Sequence, residues 1–314
     1  MSPVFRDVEG QCLAPRGSVV AIGAFDGVHR GHRILLERVR ERATALSCDA
    51  IALSFEPLPR QHFGGRASVP RLSTPYEKAR LLCGFADRVG FLRFDARLAS
   101  VSADAFVARV LVQRLAMREV WVGREFRFGQ RRMGDFNLLH ALGARYGYAA
   151  HAIDVVVDGT ERISATAIRA ALLAGELGRA ERMLGRRYAM SGRVVRGNML
   201  GRKLGFPTAN VRMRFGVAPV RGIYAVRISG AGLAYAAGVA SVGTRPTVGG
   251  IEPLLEAHVF DFDGDLYARR IEVEFVAKLR DEERFETLEA MIQQMHRDAA
   301  RARAVLAENP GNHA

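Results

Sequence analysis

From Ser18 to about Gly185, short apolar runs alternate with longer stretches in which apolar residues recur every three or four positions. The runs VVAIGAF, AIALSFE, RVGFLRF, EVWVG and YAAHAIDVVV have the length and composition of strands. Between them, HRILLERVRERATAL sets Leu35, Val39, Ala43 and Leu46 on one helical face. PYEKARLLCGFA predicts a second helix, with Thr74 as N-cap, Pro75 at the first helical position and Glu77 closing a capping box. Strand and helix alternating in this way predict an α/β fold, a doubly wound parallel sheet covered on both faces.

After about Tyr188 strand follows strand, namely YAMSGRVVRG, GIYAVRISG, LAYAAGVASVG, LEAHVFDF and YARRIEVEFVAKL, divided by Gly, Pro and Asp-Gly turns. This predicts a small antiparallel β-barrel, in which Asp263-Gly264 makes a hairpin turn. A long C-terminal helix closes the chain, with Phe285, Leu288, Met291, Met295, Ala299 and Ala302 as its buried stripe. No internal repeat links the halves. GRRY at 185–188 marks the boundary, giving expected domains 1–185 and 186–314.

At 314 residues and 49% hydrophobic, the chain has material for two ordinary cores. The opening MSPVFRDVEG lacks an apolar h-region and no apolar run is long enough to span a bilayer, so the expectation is a cytoplasmic protein without membrane contact. Cys12, Cys48 and Cys83 have no zinc or disulfide spacing and are expected to be small buried hydrophobes. The net charge of +13 suits a nucleic-acid binder or an enzyme of phosphorylated substrates. Arginine is scattered rather than blocked, and no nucleic-acid recognition signature accompanies it, so no nucleic-acid partner is expected.

In a doubly wound sheet, ligands bind beyond the carboxyl ends of the strands, where GAFDGVHRGH (23–32) follows the first one. Gly23 permits close backbone approach, Asp26-Gly27 a tight turn, and His29 and His32 fall at a helix start that favours anions. Two imidazoles there would donate to phosphate. The plainer alternative has Asp26 capping the helix and the histidines as polar surface. In ISATAIR (163–169), Ser164, Thr166 and Arg169 offer hydroxyl and guanidinium donors at another helix start, or an ordinary N-cap.

No Walker A sequence is present. In GNMLGRKLGFPTAN, glycines 197, 201 and 205 allow a tight loop, Lys203 offers charge, and Pro207 leads to Thr208 and Asn210, whose hard oxygens suit Mg2+. By spacing alone the preferred reading is a strand-connecting loop with Thr208 and Asn210 in turn geometry. Glu256, between Leu255 and Ala257, is either a solvent residue on an edge strand or a positioned base, and His258 shares its face.

The strings GAFDGVHRGH, SFEPLPR, VGREFRFG, GDFNLL, ISATAIR and LGRRY resemble the adenylyltransferase module of bacterial bifunctional riboflavin kinase/FMN adenylyltransferases, the prokaryotic FAD synthetases. GRKLGFPTAN, GIYAV, GVASVGTRPT, LEAHVFDFDGDLY and KLRDEERF resemble their riboflavin kinase module, in the same order. The resemblance implies a nucleotidyltransferase domain followed by a kinase barrel. Riboflavin would be phosphorylated to FMN, and FMN adenylylated to FAD, with ATP as co-substrate and Mg2+ as cofactor in both steps. His29 and His32 would grip ATP phosphates, with Gly23, Phe25, Asp26, Ser164, Thr166 and Arg169 around the nucleotide. Gly201, Lys203, Gly205, Pro207, Thr208 and Asn210 would hold ATP and, through Thr208 and Asn210, the metal, while Glu256 would be the catalytic base. The chain departs from the family pattern at Leu58, Glu125, Ala165 and Ala167, where histidine, aspartate, serine and often arginine are usual. Those departures leave a kinase-only enzyme as the rival reading, and a nucleic-acid-binding protein on the same scaffold as a rival of another class.

Overall fold

In the computed structural model, residues 4–6, 10–64, 69–197, 201, 204–213, 217–247 and 250–310 are described. The chain divides into two compact units, Met1–Val69 with Pro75–Ala165, and Pro70–Thr74 with Thr166–Ala314.

In the first unit, β1 (Val4–Phe5), β2 (Ser18–Ile22), β3 (Asp49–Glu56), β4 (Arg88–Arg93), β5 (Met117–Gly123) and β6 (Ala149–Ile153) form one sheet in the order β1-β4-β3-β2-β5-β6. Every pairing is parallel. The helices are α1 (Arg30–Ala45), α2 (Pro59–Gly64), α3 (Pro75–Cys83), α4 (Ala96–Ala99), α5 (Ala103–Phe106), which runs on as a π-helical stretch Val107–Arg114, and α6 (Phe136–Tyr146). Side-chain alternation along β2 builds two cores. Val19 and Ala21 pack with Leu35, Leu36 and Val39 of α1 and Leu82 of α3. Val20 and Ile22 pack on the other face with Val107, Leu111 and Leu139. Chain order reverses between β2 and β5, so the loop after β2 opens onto the crevice where doubly wound sheets bind ligands.

The five expected strands are present. YAAHAIDVVV divides, however, into β6 and a short strand β7 (Val157–Asp158), which pairs with β8 (Glu161–Arg162) as a separate ribbon. The cysteines differ from expectation: Cys48 is buried, but Cys12 and Cys83 are exposed, Cys83 because it ends α3 beyond the face that packs on the sheet.

In the second unit, α7 (Ala165–Leu173) and α8 (Leu177–Leu184) precede β9 (Ala189–Val195), β10 (Ala209–Val211), β11 (Gly222–Gly230), β12 (Leu233–Thr247), β13 (Gly250–Val259) and β14 (Arg270–Arg280). These strands close an antiparallel barrel in the order β10-β13-β12-β11-β14-β9. Outside it, Ala302 and Leu306 of α9 (Leu288–Glu308) pack on Ala225, Phe260 and Leu279. Tyr224 and Val226, of opposite parity to Ala225, therefore face the interior, where the Tyr224 ring meets Phe275 edge-on at 5.1 Å.

Two expectations are corrected. Asp263-Gly264 is not a hairpin turn, because β13 and β14 are not neighbours and the segment between them crosses to another part of the barrel. The stripe of the last helix is corrected in part: Ala299 and Ala302 pack on the core as expected, but α9 begins at Leu288 behind its N-cap Thr287, and Leu288 is exposed. Its buried positions are Asp298, Ala302 and Leu306, while Phe285, Met291 and Met295 line a cavity rather than a sealed core.

Candidate functional site

At the carboxyl end of β2 the chain makes a turn that only an over-determined structure tolerates, with positive φ at Phe25 (47°), Gly27 (78°) and Val28 (41°). Phe25 is fully buried and Asp26 nearly so. Gly23 serves this packing, since a Cβ there would press on the Phe25 ring. The cap of α1 is His29 rather than Asp26, with His29 Nδ1 accepting the His32 backbone N–H at 3.4 Å. A neutral His29 therefore carries its proton on Nε2. The two imidazoles stack with ring centroids 3.6 Å apart, and Phe25 meets His32 edge-on at 5.1 Å. Burial above all, then His29 and Lys78, hold His32 well below the ordinary histidine range. The His32 ring is thus neutral at neutral pH, and its buried Nδ1 has no hydrogen-bond partner among the described residues.

Along the same carboxyl edge lies an aromatic patch that the sequence pattern did not single out. Phe94, after β4, meets Phe55, His62 and Phe63 with centroids 5.9, 5.4 and 5.9 Å away. Phe63 is 72% exposed. The signal available was its place just after a strand, in the stretch SFEPLPRQHF. Leu58 is buried against this loop, its N–H donating to Gln61 Oε1 at 3.4 Å. Glu125 forms a two-pronged ion pair with Arg162, at 2.8 and 2.6 Å, so the longer acid has a defined partner. Ser164 is half-buried in the first unit. In the second, Thr166 is exposed and Arg169 is buried, its Nε donating to the Pro70 carbonyl at 2.6 Å. Ala165 and Ala167 are half-buried in the first turn of α7.

The barrel holds a cavity of about 400 Å³ whose wall includes Gly201, Thr208, Asn210, Glu256, His258 and Glu282. Strand register places Glu256 directly opposite Asn210 on β10 and Ser241 on β12. Leu255 and Ala257 are fully buried on the opposite face, so the Glu256 carboxylate lies on the cavity side of the strand with His258. His258 Nδ1 lies 2.8 Å from the Pro207 carbonyl and ties β13 to the segment leading into β10. A Cβ at Gly201 would collide with the Phe206 carbonyl, and one at Gly197 with the Asn210 amide, so both glycines admit close chain passage. Gly205 has φ 81° and is exposed, as is Pro207. Lys203 lies outside the described residues.

At the far side of this cavity, Arg280 donates from Nε to both oxygens of the buried Asp298 at 3.0 Å and from its terminal nitrogen at 2.7 Å. Gln294 adds a bond to the same carboxylate at 3.0 Å. That pair fastens α9, with Met291 and Met295, to β14, since Arg280 is a residue of the strand and Asp298 a residue of the helix.

Among the described residues no group of three or more His, Cys, Asp or Glu is arranged to hold a metal. The hydroxyl of Thr208, the amide oxygen of Asn210 and the carboxylate of Glu256 around one cavity nevertheless suit Mg2+, which typically takes few protein oxygens and completes its shell with phosphate and water.

A doubly wound sheet with paired histidines at its switch point, and a barrel with an oxygen-lined cavity, define a class of ATP-using group-transfer enzymes. A family described as FAD synthetase matches residues 12–167, and one described as riboflavin kinase matches residues 184–306. Bifunctional riboflavin kinase/FMN adenylyltransferase of Escherichia coli (strain K12) is 44% identical over 303 residues, 96% of each chain. Its namesake from Pseudomonas fluorescens is 44% identical over 93% of this chain and 94% of that one. A crystal structure of a macrolide-efflux protein from Streptococcus pneumoniae superposes with a TM-score of 0.79 at 26% identity, covering 94% of this chain and 96% of its own. In the present chain no described helix is long and apolar enough to cross a membrane. The chain belongs to the bifunctional riboflavin kinase/FMN adenylyltransferase family.

Proposed function

We propose that this enzyme converts riboflavin to FAD in two ATP-consuming steps at two separate sites, one in the barrel and one at the carboxyl edge of the sheet. The observation that carries the reading is Glu256 set opposite Asn210, with Thr208, inside one cavity large enough for a small molecule. In the barrel, Glu256 accepts the proton of the terminal ribityl hydroxyl as that oxygen attacks the γ-phosphorus of ATP. The bond to the β-γ bridging oxygen breaks and ADP leaves. Gly201, Lys203, Gly205 and Pro207 frame the nucleotide, and His258 holds Pro207 in register. Thr208 and Asn210 hold Mg2+, which supplies neutralisation of phosphate charge when bound.

In the sheet unit, an FMN phosphate oxygen attacks the α-phosphorus of ATP and pyrophosphate leaves. His29 and His32 donate to phosphate oxygens, Gly23, Phe25 and Asp26 shape the turn that carries them, and Ser164 adds a hydroxyl. The exposed Phe63 and its aromatic neighbours are a platform for a flavin ring. No covalent enzyme intermediate is needed; alignment supplies most of the catalysis. The functional boundary falls at Gly185, which closes α8 in a left-handed conformation one residue after the riboflavin kinase match begins. The enzyme works in the cytoplasm, where ATP and free flavin meet, and its charge serves phosphorylated substrates rather than nucleic acid.

The test is to incubate the protein with riboflavin, ATP and Mg2+ and follow FMN and FAD by chromatography. FMN should rise first and FAD follow. FMN with no FAD would reduce the enzyme to a kinase.

A further inference from the structure

Lys78, on α3, is a lysine with 0% exposure, next to the buried Glu77. Its ammonium lies beneath the turn that follows β2. It pairs with Glu56 Oε1 at 2.7 Å and reaches the Ala24 carbonyl at 3.2 Å, Ser54 Oγ at 3.1 Å and the Phe55 carbonyl at 3.3 Å. The Phe91 ring covers it at 5.3 Å. Ser54 Oγ in turn donates to the same Ala24 carbonyl at 3.0 Å.

Taking an ammonium out of water is costly, and an apolar side chain of similar length would fill the same space with no such penalty. The charge is therefore retained for what it touches. Ala24 stands immediately before Phe25, the first of the positive-φ residues in the turn that leads to His29 and His32. Residues in such conformations persist only where their surroundings hold them. Two donors on one carbonyl, one of them charged, are such a hold.

We propose that Lys78 is a positioning residue for adenylyl transfer, fixing the Ala24 carbonyl and with it the turn that presents His29 and His32 to the nucleotide. The proposal rests on the adenylyltransferase reading of the sheet unit. Lys78 has a second effect through space, because its charge, together with His29, disfavours the protonated form of His32. The charged or titratable groups involved are then His29 on the N-cap of α1, Lys78 on α3, and Glu56 on β3, which faces Lys78.

The experiment uses the full chain with Lys78→Met, assayed for FAD formation from FMN and ATP, and in the same preparation for FMN formation from riboflavin. Adenylylation should lose ~10²-fold in kcat, with KM for ATP and FMN changed far less, the cost of misplacing a catalytic group by about an ångström. Riboflavin phosphorylation should be unchanged. The acidic limb of the adenylylation pH profile should move to higher pH, since His32 loses a positive neighbour; a purely structural role would lower the rate and leave that limb in place. Adenylylation at the wild-type rate, or a slower rate with an unmoved limb, overturns the proposal. A wild-type enzyme that makes no FAD would instead overturn the adenylyltransferase reading itself. Should Lys78→Met not fold, Ser54→Ala removes the second donor to Ala24 and should slow adenylylation by roughly 3- to 10-fold; an unaltered rate in that variant overturns the proposal.

Discussion

Replacing Asp298 by alanine should damage the barrel unit selectively and measurably. The carboxylate accepts Arg280 through Nε and a terminal nitrogen at 3.0 and 2.7 Å, and Gln294 at 3.0 Å, with side-chain exposure of 6% for Asp298 and 19% for Arg280. Removing one partner of a buried ion pair costs about 3–5 kcal/mol. Arg280 retains some relief, because it also donates to the Asp281 carbonyl at 2.9 Å and lies 3.6 Å from Glu283. A loss somewhat below that range, about 2–3 kcal/mol, is therefore expected. For a unit of this size each kcal/mol is worth roughly 2–4 °C, so the barrel transition should fall by about 4–12 °C. Calorimetry of the full chain reads it, with the transition of the sheet unit as an internal reference. Because α9 carries Met291 and Met295 into the cavity wall, KM for riboflavin should rise as well. A barrel transition within a degree of wild type would refute the reasoning, since a buried carboxylate with three donors cannot then be fastening α9 to β14.

Other perturbations separate the sites. Gly197→Ala places a Cβ against the Asn210 amide, so riboflavin phosphorylation should fall by about 10- to 100-fold and demand more Mg2+, while FAD formation from FMN is untouched; steady-state kinetics over a Mg2+ series checks this. Phe63→Ala should raise KM for FMN by roughly tenfold with no loss of thermal stability, because the ring is exposed and only a ligand would cover it; a changed melting temperature with normal KM would point to a structural role. Folding holds His32 below its ordinary range, so the unfolded chain takes up a proton that the folded one refuses. The sheet unit should therefore lose stability as pH falls below about 6.5, down to the depressed folded value, and His32→Asn should flatten that slope when calorimetry is repeated at pH 7.5 and about 5.5.

What the sequence made legible follows from what a pattern of apolar and polar residues records. The nearly unbroken apolar runs VVAIGAF and AIALSFE report strands buried on both faces, and the sheet is built from those runs. β1 and β10 escaped notice because two- and three-residue strands carry too little periodicity, and β10 is the stretch of PTAN that reads as a loop. Charges buried in pairs leave no mark of this kind. Lys78 and Asp298 look like the polar faces of amphipathic helices until Glu56 and Arg280, from strands, are brought against them. The last helix deceived for the opposite reason: Phe285, Met291 and Met295 read as part of an apolar stripe, yet they line the cavity beside Glu256 rather than a sealed core. The change of rhythm at 185–188 marks where strands take over from helices. Packing follows another criterion, and α8, burying Ala180, Met183 and Leu184, goes with the barrel unit.

The central claim, one chain with two independent chemistries, meets its most direct test in two variants supplied with two substrates. Glu256→Gln keeps the shape of the side chain and removes the base, so with riboflavin, ATP and Mg2+ it should form FMN about 10²- to 10⁴-fold more slowly than wild type. Supplied with FMN and ATP, it should make FAD at the wild-type rate. His29→Ala should show the reverse, normal FMN from riboflavin and at least ~10²-fold less FAD from FMN. Loss of both activities in either folded variant, or loss of neither, would contradict the account.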